Sequence, residues 1–123
     1  TSALWSRVAA EEARRRGLDE VILCREEIVV EGAWSALMWR EGETWRTPAA
    51  SLNPLPSTTL AALRQAGLHV EEVVSTRERL SYADAIVLLS AVRLAIGVER
   101  LENREFPSPD DAASALRQIL LRA

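Results

Sequence analysis

Ile28-Val-Val-Glu-Gly-Ala-Trp-Ser-Ala-Leu-Met-Trp-Arg40 holds two short β-favouring runs, Ile28 to Glu31 and Ser35 to Arg40, whose pattern is that of strands. Upstream, Glu20-Val-Ile-Leu-Cys24 repeats the pattern, and downstream Thr44-Trp-Arg46 continues it. Arg25-Glu26-Glu27 and Glu41-Gly42-Glu43 fall between the runs as hairpin turns. The expectation is an antiparallel meander. Inside it, Glu31 closes an apolar strand just before Gly32. It is either a solvent-facing strand end or a buried carboxylate, and a buried one needs a donor or a cation.

Further along, Thr47-Pro48 to Leu55-Pro56 reads as a loop with three prolines, and Ser57-Thr58-Thr59 opens a helix from Leu60 to Gln65 that Gly67 stops. His69 to Val74 reads as a strand, Arg77 to Tyr82 as a short helix. Ala85-Ile-Val-Leu-Leu89 is continuously apolar, as expected of a strand buried on both faces. Ser108 as cap and Pro109 at the first helical position start a last helix that buries Ala112, Leu116, Ile119 and Leu120. Before the meander, Ser2 to Arg16 forms a helix with Leu4, Val8 and Ala9 on one stripe beside Trp5, ended by Gly17. With no repeat or linker, residues 1–123 read as one α+β domain, a meander with flanking helices.

The 48% hydrophobic content supports a proper core. No run approaches the ~18 apolar residues of a membrane span, and no signal segment opens the chain. A lone cysteine, Cys24, argues for no internal disulfide, so the cytoplasm is the expected compartment. The 15 basic and 18 acidic residues are interspersed, which disfavours a nucleic-acid footprint. Arg14-Arg15-Arg16 is the only basic run, in the last turn of a helix, where cations suit the macrodipole. Every basic residue is Arg, so these residues offer no lysine for a Schiff base.

His69 is the only histidine, which excludes a multi-histidine metal centre. Cys24 stands beside Arg25 but in an apolar strand, where an inert buried thiol is expected. Leu55-Pro-Ser-Thr-Thr59 brings three hydroxyls and successive N–H groups to a helix start. That arrangement is either plain N-capping or an anion site.

In order and spacing these segments resemble class IV (fold-type IV) pyridoxal-phosphate enzymes, the family of aminodeoxychorismate lyase and the branched-chain and D-amino-acid aminotransferases. Val30-Glu31-Gly32-Ala-Trp-Ser35-Ala36-Leu37-Met38 is similar to the family's Thr-Glu-Gly-x-x-Ser-Asn-hydrophobic signature. Gly42 with Thr47-Pro48 matches its Asp-Gly and Thr-Pro, and Leu55-Pro56-Ser57-Thr58-Thr59 its Leu-Pro-Gly-Ile-Thr. Ala83-Asp84 and Leu88-Leu89-Ser90-Ala91-Val92-Arg93 match its Ala-Asp-Glu and the Asn-Ser-Leu-Arg-Gly of the lyase branch. The resemblance implies the family's larger, carboxy-terminal α/β domain, with a smaller amino-terminal domain elsewhere in the polypeptide, and a homodimer.

It also implies roles. Glu31 faces the pyridine nitrogen of pyridoxal 5'-phosphate, Ser57, Thr58 and Thr59 hold the phosphate, and Ser90 and Ala91 close the cup opposite. Arg93 meets a substrate carboxylate. The Schiff-base lysine is expected just upstream of Thr1, because Thr1-Ser2 matches the tail of the family's Lys-Thr-Thr-Ser. The chain departs from the pattern at Ala36 for Asn, Ser57 for Gly, Leu60 for Arg, Ser90-Ala91 for Asn-Ser and Gly97 for Pro. Through Arg93 the resemblance implies a lyase that releases pyruvate and 4-aminobenzoate from 4-amino-4-deoxychorismate. The alternatives are a class IV aminotransferase and a degenerate, non-catalytic domain of the same fold.

Overall fold

A computed structural model describes residues 22–32, 35–54, 56–91, 94–101 and 104–122. The helix expected over Ser2 to Arg16, together with Leu55 and Arg93, lies outside the described residues.

The expected strands form, but in two sheets. β1 (Ile22–Arg25) and β2 (Ile28–Gly32) make an antiparallel hairpin of their own. Its turn residues, Glu26 and Glu27, both take left-handed backbones (φ 50 and 69), as a two-residue hairpin twisted with its strands requires. β3 (Ala36–Glu41) and β4 (Thr44–Pro48) form the second hairpin, closed by Gly42 at φ 64. They belong to a five-stranded sheet ordered β5-β4-β3-β6-β7, with β5 at Val70–Val73, β6 at Ala85–Ser90 and β7 at Leu94–Gly97. All its pairings are antiparallel except β4 with β5. That pair is parallel because the chain returns through a 3-10 turn (Ala50–Leu52) and helix α1 (Thr58–Gln65), a crossover rather than a hairpin. β2 is tied to the chain after β5 by the Val29 N–H donating to the Ser75 carbonyl (2.8 Å).

Side-chain alternation along the two central strands divides the core. Met38, Val87 and Leu89 face one way and meet Leu63 of α1 and Ala112, Ala113 and Leu116 of the last helix, α3 (Pro109–Arg122). Leu37, Trp39 and Ile86 face the other way, onto Val29, Phe106 and Leu80 of the short helix α2 (Arg77–Ser81). β6 is therefore covered on both faces, as its unbroken apolar run implied, with Ile86 1% and Val87 0% exposed. Ile119 and Leu120 are only half-buried, at the rim of the first cluster.

Ser108 departs from the expected cap. Its backbone is left-handed (φ 47), whereas Ser57 and Thr76, which do cap α1 and α2, are extended. β7 and the small pair β8 (Arg100–Leu101) and β9 (Arg104–Glu105) had no strand assignment in the sequence reading. Gly97 explains one departure from the family pattern. A Cβ there would lie 2.0 Å from the Pro109 carbonyl oxygen. Proline carries that same Cβ, so the family's proline does not fit beside this placement of α3.

The far end of β3 holds an ion cluster that is structural in character. Arg79 grips Glu41 with two hydrogen bonds of 2.9 Å, the Trp39 indole N–H donates to it at 3.4 Å, and Arg46 Nε lies 2.6 Å away without hydrogen-bond alignment. Burial alone pushes the Glu41 carboxyl up, but the Arg79 hydrogen bond and charge, with Trp39 and Arg46, outweigh it and hold the group below the ordinary value.

Candidate functional site

Three chain ends converge at the start of β3. β2 ends at Glu31 and Gly32, its apolar residues Val29 and Val30 having carried the strand inward, so that Glu31 is only 4% exposed. The solvent-facing alternative for this residue is thereby removed. α1 begins with Thr58 because the Ser57 side chain accepts the Leu60 N–H at 3.0 Å. β6 ends at Ser90, opposite Leu94 in register.

Between these ends is a cavity of about 250 Å³. Glu31, Ser57, Thr58, Thr59, Ser90 and Ala91, the six residues assigned to a cofactor from the sequence, all line it. The fold gathers them from three separate stretches of chain. Arg93, expected to meet substrate, lies outside the described residues.

The lining of the cup is chemically mixed. The backbone N–H groups of Thr58 and Thr59 occupy the first helical positions, where no preceding turn offers a carbonyl. The positive end of the helix dipole adds to them. Thr59 is buried and Thr58 exposed, so the Thr59 hydroxyl is the better shielded. Ser57 uses its oxygen to cap the helix, which leaves its hydroxyl proton for a ligand. The buried Glu31 carboxylate lines the same cup, as do the apolar side chains of Ala36, Leu89 and Ala91. Such a lining suits a flat ligand that carries both an anionic group and an N–H donor.

The apolar part of this lining and a second, larger cavity are not marked in the sequence. That space, about 560 Å³, adjoins the first and shares Glu31, Ala36, Pro56 and Ser57 with it. Leu60 and Arg64, one helical turn apart on α1, also border it. Their i, i+4 spacing was the available signal, although nothing local marked the loop that completes the space. Among the described residues, no group of three or more His, Cys, Asp or Glu is placed to hold a metal ion. No helix among them is long and apolar enough to cross a membrane.

A five-stranded mixed sheet with flanking helices, and a cup at the ends of β2 and β6 facing a helix start, is the architecture of the fold-type IV enzymes. The chain belongs to the class IV amino-transferase family, whose model matches residues 2–101. It is similar to a fold IV-transaminase from Curtobacterium pusillum, with 30% identity and a TM-score of 0.82 over 98% of this chain and 42% of that one. A putative 4-amino-4-deoxychorismate lyase from Legionella pneumophila shares 27% identity, with a TM-score of 0.78 over 95% of this chain and 47% of that one. A hypothetical aminotransferase from Mycobacterium tuberculosis, solved in a PLP-bound form, shares the fold at 24% identity, with a TM-score of 0.80 over 96% of this chain and 43% of that one. The chain thus spans less than half the length of these relatives. Among curated proteins no sequence match is found.

Proposed function

We propose that this chain is the pyridoxal 5'-phosphate-holding, carboxy-terminal domain of a longer enzyme with lyase activity on 4-amino-4-deoxychorismate. One observation carries the cofactor reading. A buried carboxylate and a helix start rich in hydroxyls and free N–H groups line one cavity.

The residues fit the cofactor. The N–H groups and hydroxyls of Thr58 and Thr59, the Ser57 hydroxyl and the Ser90–Ala91 corner take the phosphate, where dipole and donors both favour an anion. Glu31 accepts the pyridine N–H and keeps its proton in place. The cofactor, once bound, supplies an aromatic ring that withdraws electrons from the reacting carbon of the substrate. Ala36, Leu89 and Ala91 give the ring an apolar bed and keep water from its faces. A lysine from elsewhere in the polypeptide attaches the cofactor, and the remaining domain supplies part of the substrate pocket.

Arg93 after Ser90-Ala91 supports the lyase branch, since a guanidinium pairs a substrate carboxylate through two parallel donors. The likeness to the Legionella protein supports it as well. The competing reading is transamination, favoured by the likeness to the Curtobacterium transaminase. The full-length protein decides between them. With 4-amino-4-deoxychorismate, the proposal expects 4-aminobenzoate and pyruvate in equal amounts without any amino acceptor. Turnover only when an amino acid and a 2-oxo acid are both supplied overturns the lyase reading. Failure to bind pyridoxal phosphate at all leaves the degenerate domain.

A further inference from the structure

The pairing of β1 with β2 is irregular just before Glu31. Cys24 lies opposite Val29, yet the adjacent residue of β1, Leu23, lies opposite Glu31. Val30, between them, faces no residue of β1 in this register. Two residues of β2 thus oppose one of β1, which is a β-bulge. On either side of it the pairing is regular, Arg25 with Ile28 and Ile22 with Gly32.

Side chains alternate along a regular strand, so an unbulged β2 would place Glu31 on the face of Val29. Val29 is 0% exposed and belongs to the cluster of Leu37, Trp39 and Ile86. A carboxylate turned into that packing is unfavourable. The register avoids it. Ile22 packs against the same cluster as Val29, which assigns that face of the hairpin to Ile22 and Val29. Leu23 is the next position of β1, so its partner Glu31 takes the opposite face. The cavities show the same thing independently. Val30 and Glu31, although successive, both border the larger cavity, and of the two only Glu31 also lines the cup.

We infer that Val30 is a positioning residue: as the extra residue of the bulge, it turns Glu31 away from the core and aims its carboxylate at the ligand in the cup. The inference rests on the reading of Glu31 as the partner of the pyridine nitrogen. A bulge can re-aim one side chain beside a binding site while the pairing before and after it stays intact.

Two changes that cancel separate aiming from plain structure. Inserting one valine between Leu23 and Cys24 gives Val30 a partner and returns β2 to strict alternation. Exchanging two residues, Val30→Glu with Glu31→Val, moves the carboxylate by one position at constant composition. Each change alone takes the carboxylate off the cup, and together they return it to the face opposite Val29. In the full-length protein, pyridoxal phosphate binding is followed by absorbance titration. The pH dependence of the bound cofactor's spectrum reports the charge beside the ring nitrogen, and inorganic phosphate probes the start of α1 alone. Glu31→Gln is the reference. The insertion and the exchange are each expected to weaken pyridoxal phosphate about three- to tenfold and to displace the spectral titration as Glu31→Gln does. Inorganic phosphate should stay within about twofold of wild type. The combined variant is expected to bind tighter than either parent and to recover the wild-type titration. Plain structural damage is not reversed by a second change, so a combined variant no better than its parents overturns the inference. Where the insertion alone does not fold, the exchange alone decides, since it keeps the chain length. Unchanged cofactor binding there overturns the inference as well. A Glu31→Gln variant that behaves as wild type defeats the reading of Glu31, and the inference with it. A displaced titration in Glu31→Gln without one in the exchange defeats the role of the bulge alone.

Discussion

Replacing Gly97 by alanine tests the packing of α3 against the sheet. The added Cβ would meet three atoms of Pro109: the carbonyl oxygen at 2.0 Å, the carbonyl carbon at 2.5 Å and the Cβ at 3.0 Å. Bringing the first of these out to even 3.0 Å requires Pro109 to retreat by 1.0 Å (3.0 − 2.0). The obstacle is backbone, so no rotamer change relieves it. Pro109 begins α3, and Ala112, Ala113 and Leu116 on that helix are 7%, 0% and 1% exposed. A shift of that size therefore opens the first core cluster. Overpacking of this kind costs about 1–3 kcal/mol, and the backbone obstacle places Gly97→Ala near about 3 kcal/mol. In a full-length protein more than twice as long as this chain, that lowers Tm by about 6–12 °C. Urea unfolding of the full-length protein provides the measure, with the midpoint falling at unchanged m. Gly67→Ala serves as the control. It has open space around its Cβ but φ +102, so its cost of about 1 kcal/mol comes from backbone strain alone. A loss below about 0.5 kcal/mol at Gly97, the ordinary range of a surface substitution, would refute the close approach of α3 to β7.

Three further outcomes are expected. Thr59→Val keeps the shape and removes the hydroxyl of a residue only 6% exposed; it should weaken cofactor binding by about 1–3 kcal/mol, since the partner is charged, whereas a lowered Tm with unchanged affinity would make that hydroxyl purely structural. Glu31→Gln keeps the volume of a residue only 4% exposed and removes its charge; turnover should fall on the order of 10²-fold or more with a modest loss of cofactor affinity, and turnover within a few-fold of wild type would take Glu31 out of the site. The Glu41 carboxyl is held below its ordinary value of 4.5 in the folded protein, so it stabilises the fold fully above that value and loses this contribution as pH falls through its lower folded pKa. Glu41→Gln should therefore destabilise at neutral pH and approach wild type in acid, and a gap in urea midpoint that stays constant with pH would discount the Arg79 clasp.

Much of this molecule is written in local pattern. The strands from Ile22 to Pro48, the cap at Ser57, the twice-covered β6 and the final helix all follow from period, turn residues and caps. These signals reside within a few neighbours of each residue, which is why they can be read without the fold. The six cup residues were named through a resemblance in order and spacing, not through chemistry visible at each position. Glu31 shows why. A carboxylate at a strand end is ambiguous until the strand's neighbours are known, and β2 proves to be buried, with Val29 packed into the second core cluster.

What required the tertiary structure is pairing and closure. The meander pattern cannot say that β2 and β3 belong to different sheets, or that β3 takes the distant β6 as its second partner. Pairing is a choice among backbones that are alike in hydrogen-bonding capacity, and it is decided by which apolar faces can be buried together. The same holds for Gly97. Glycine there answers to a carbonyl from α3. That constraint is not local, so it leaves no local mark.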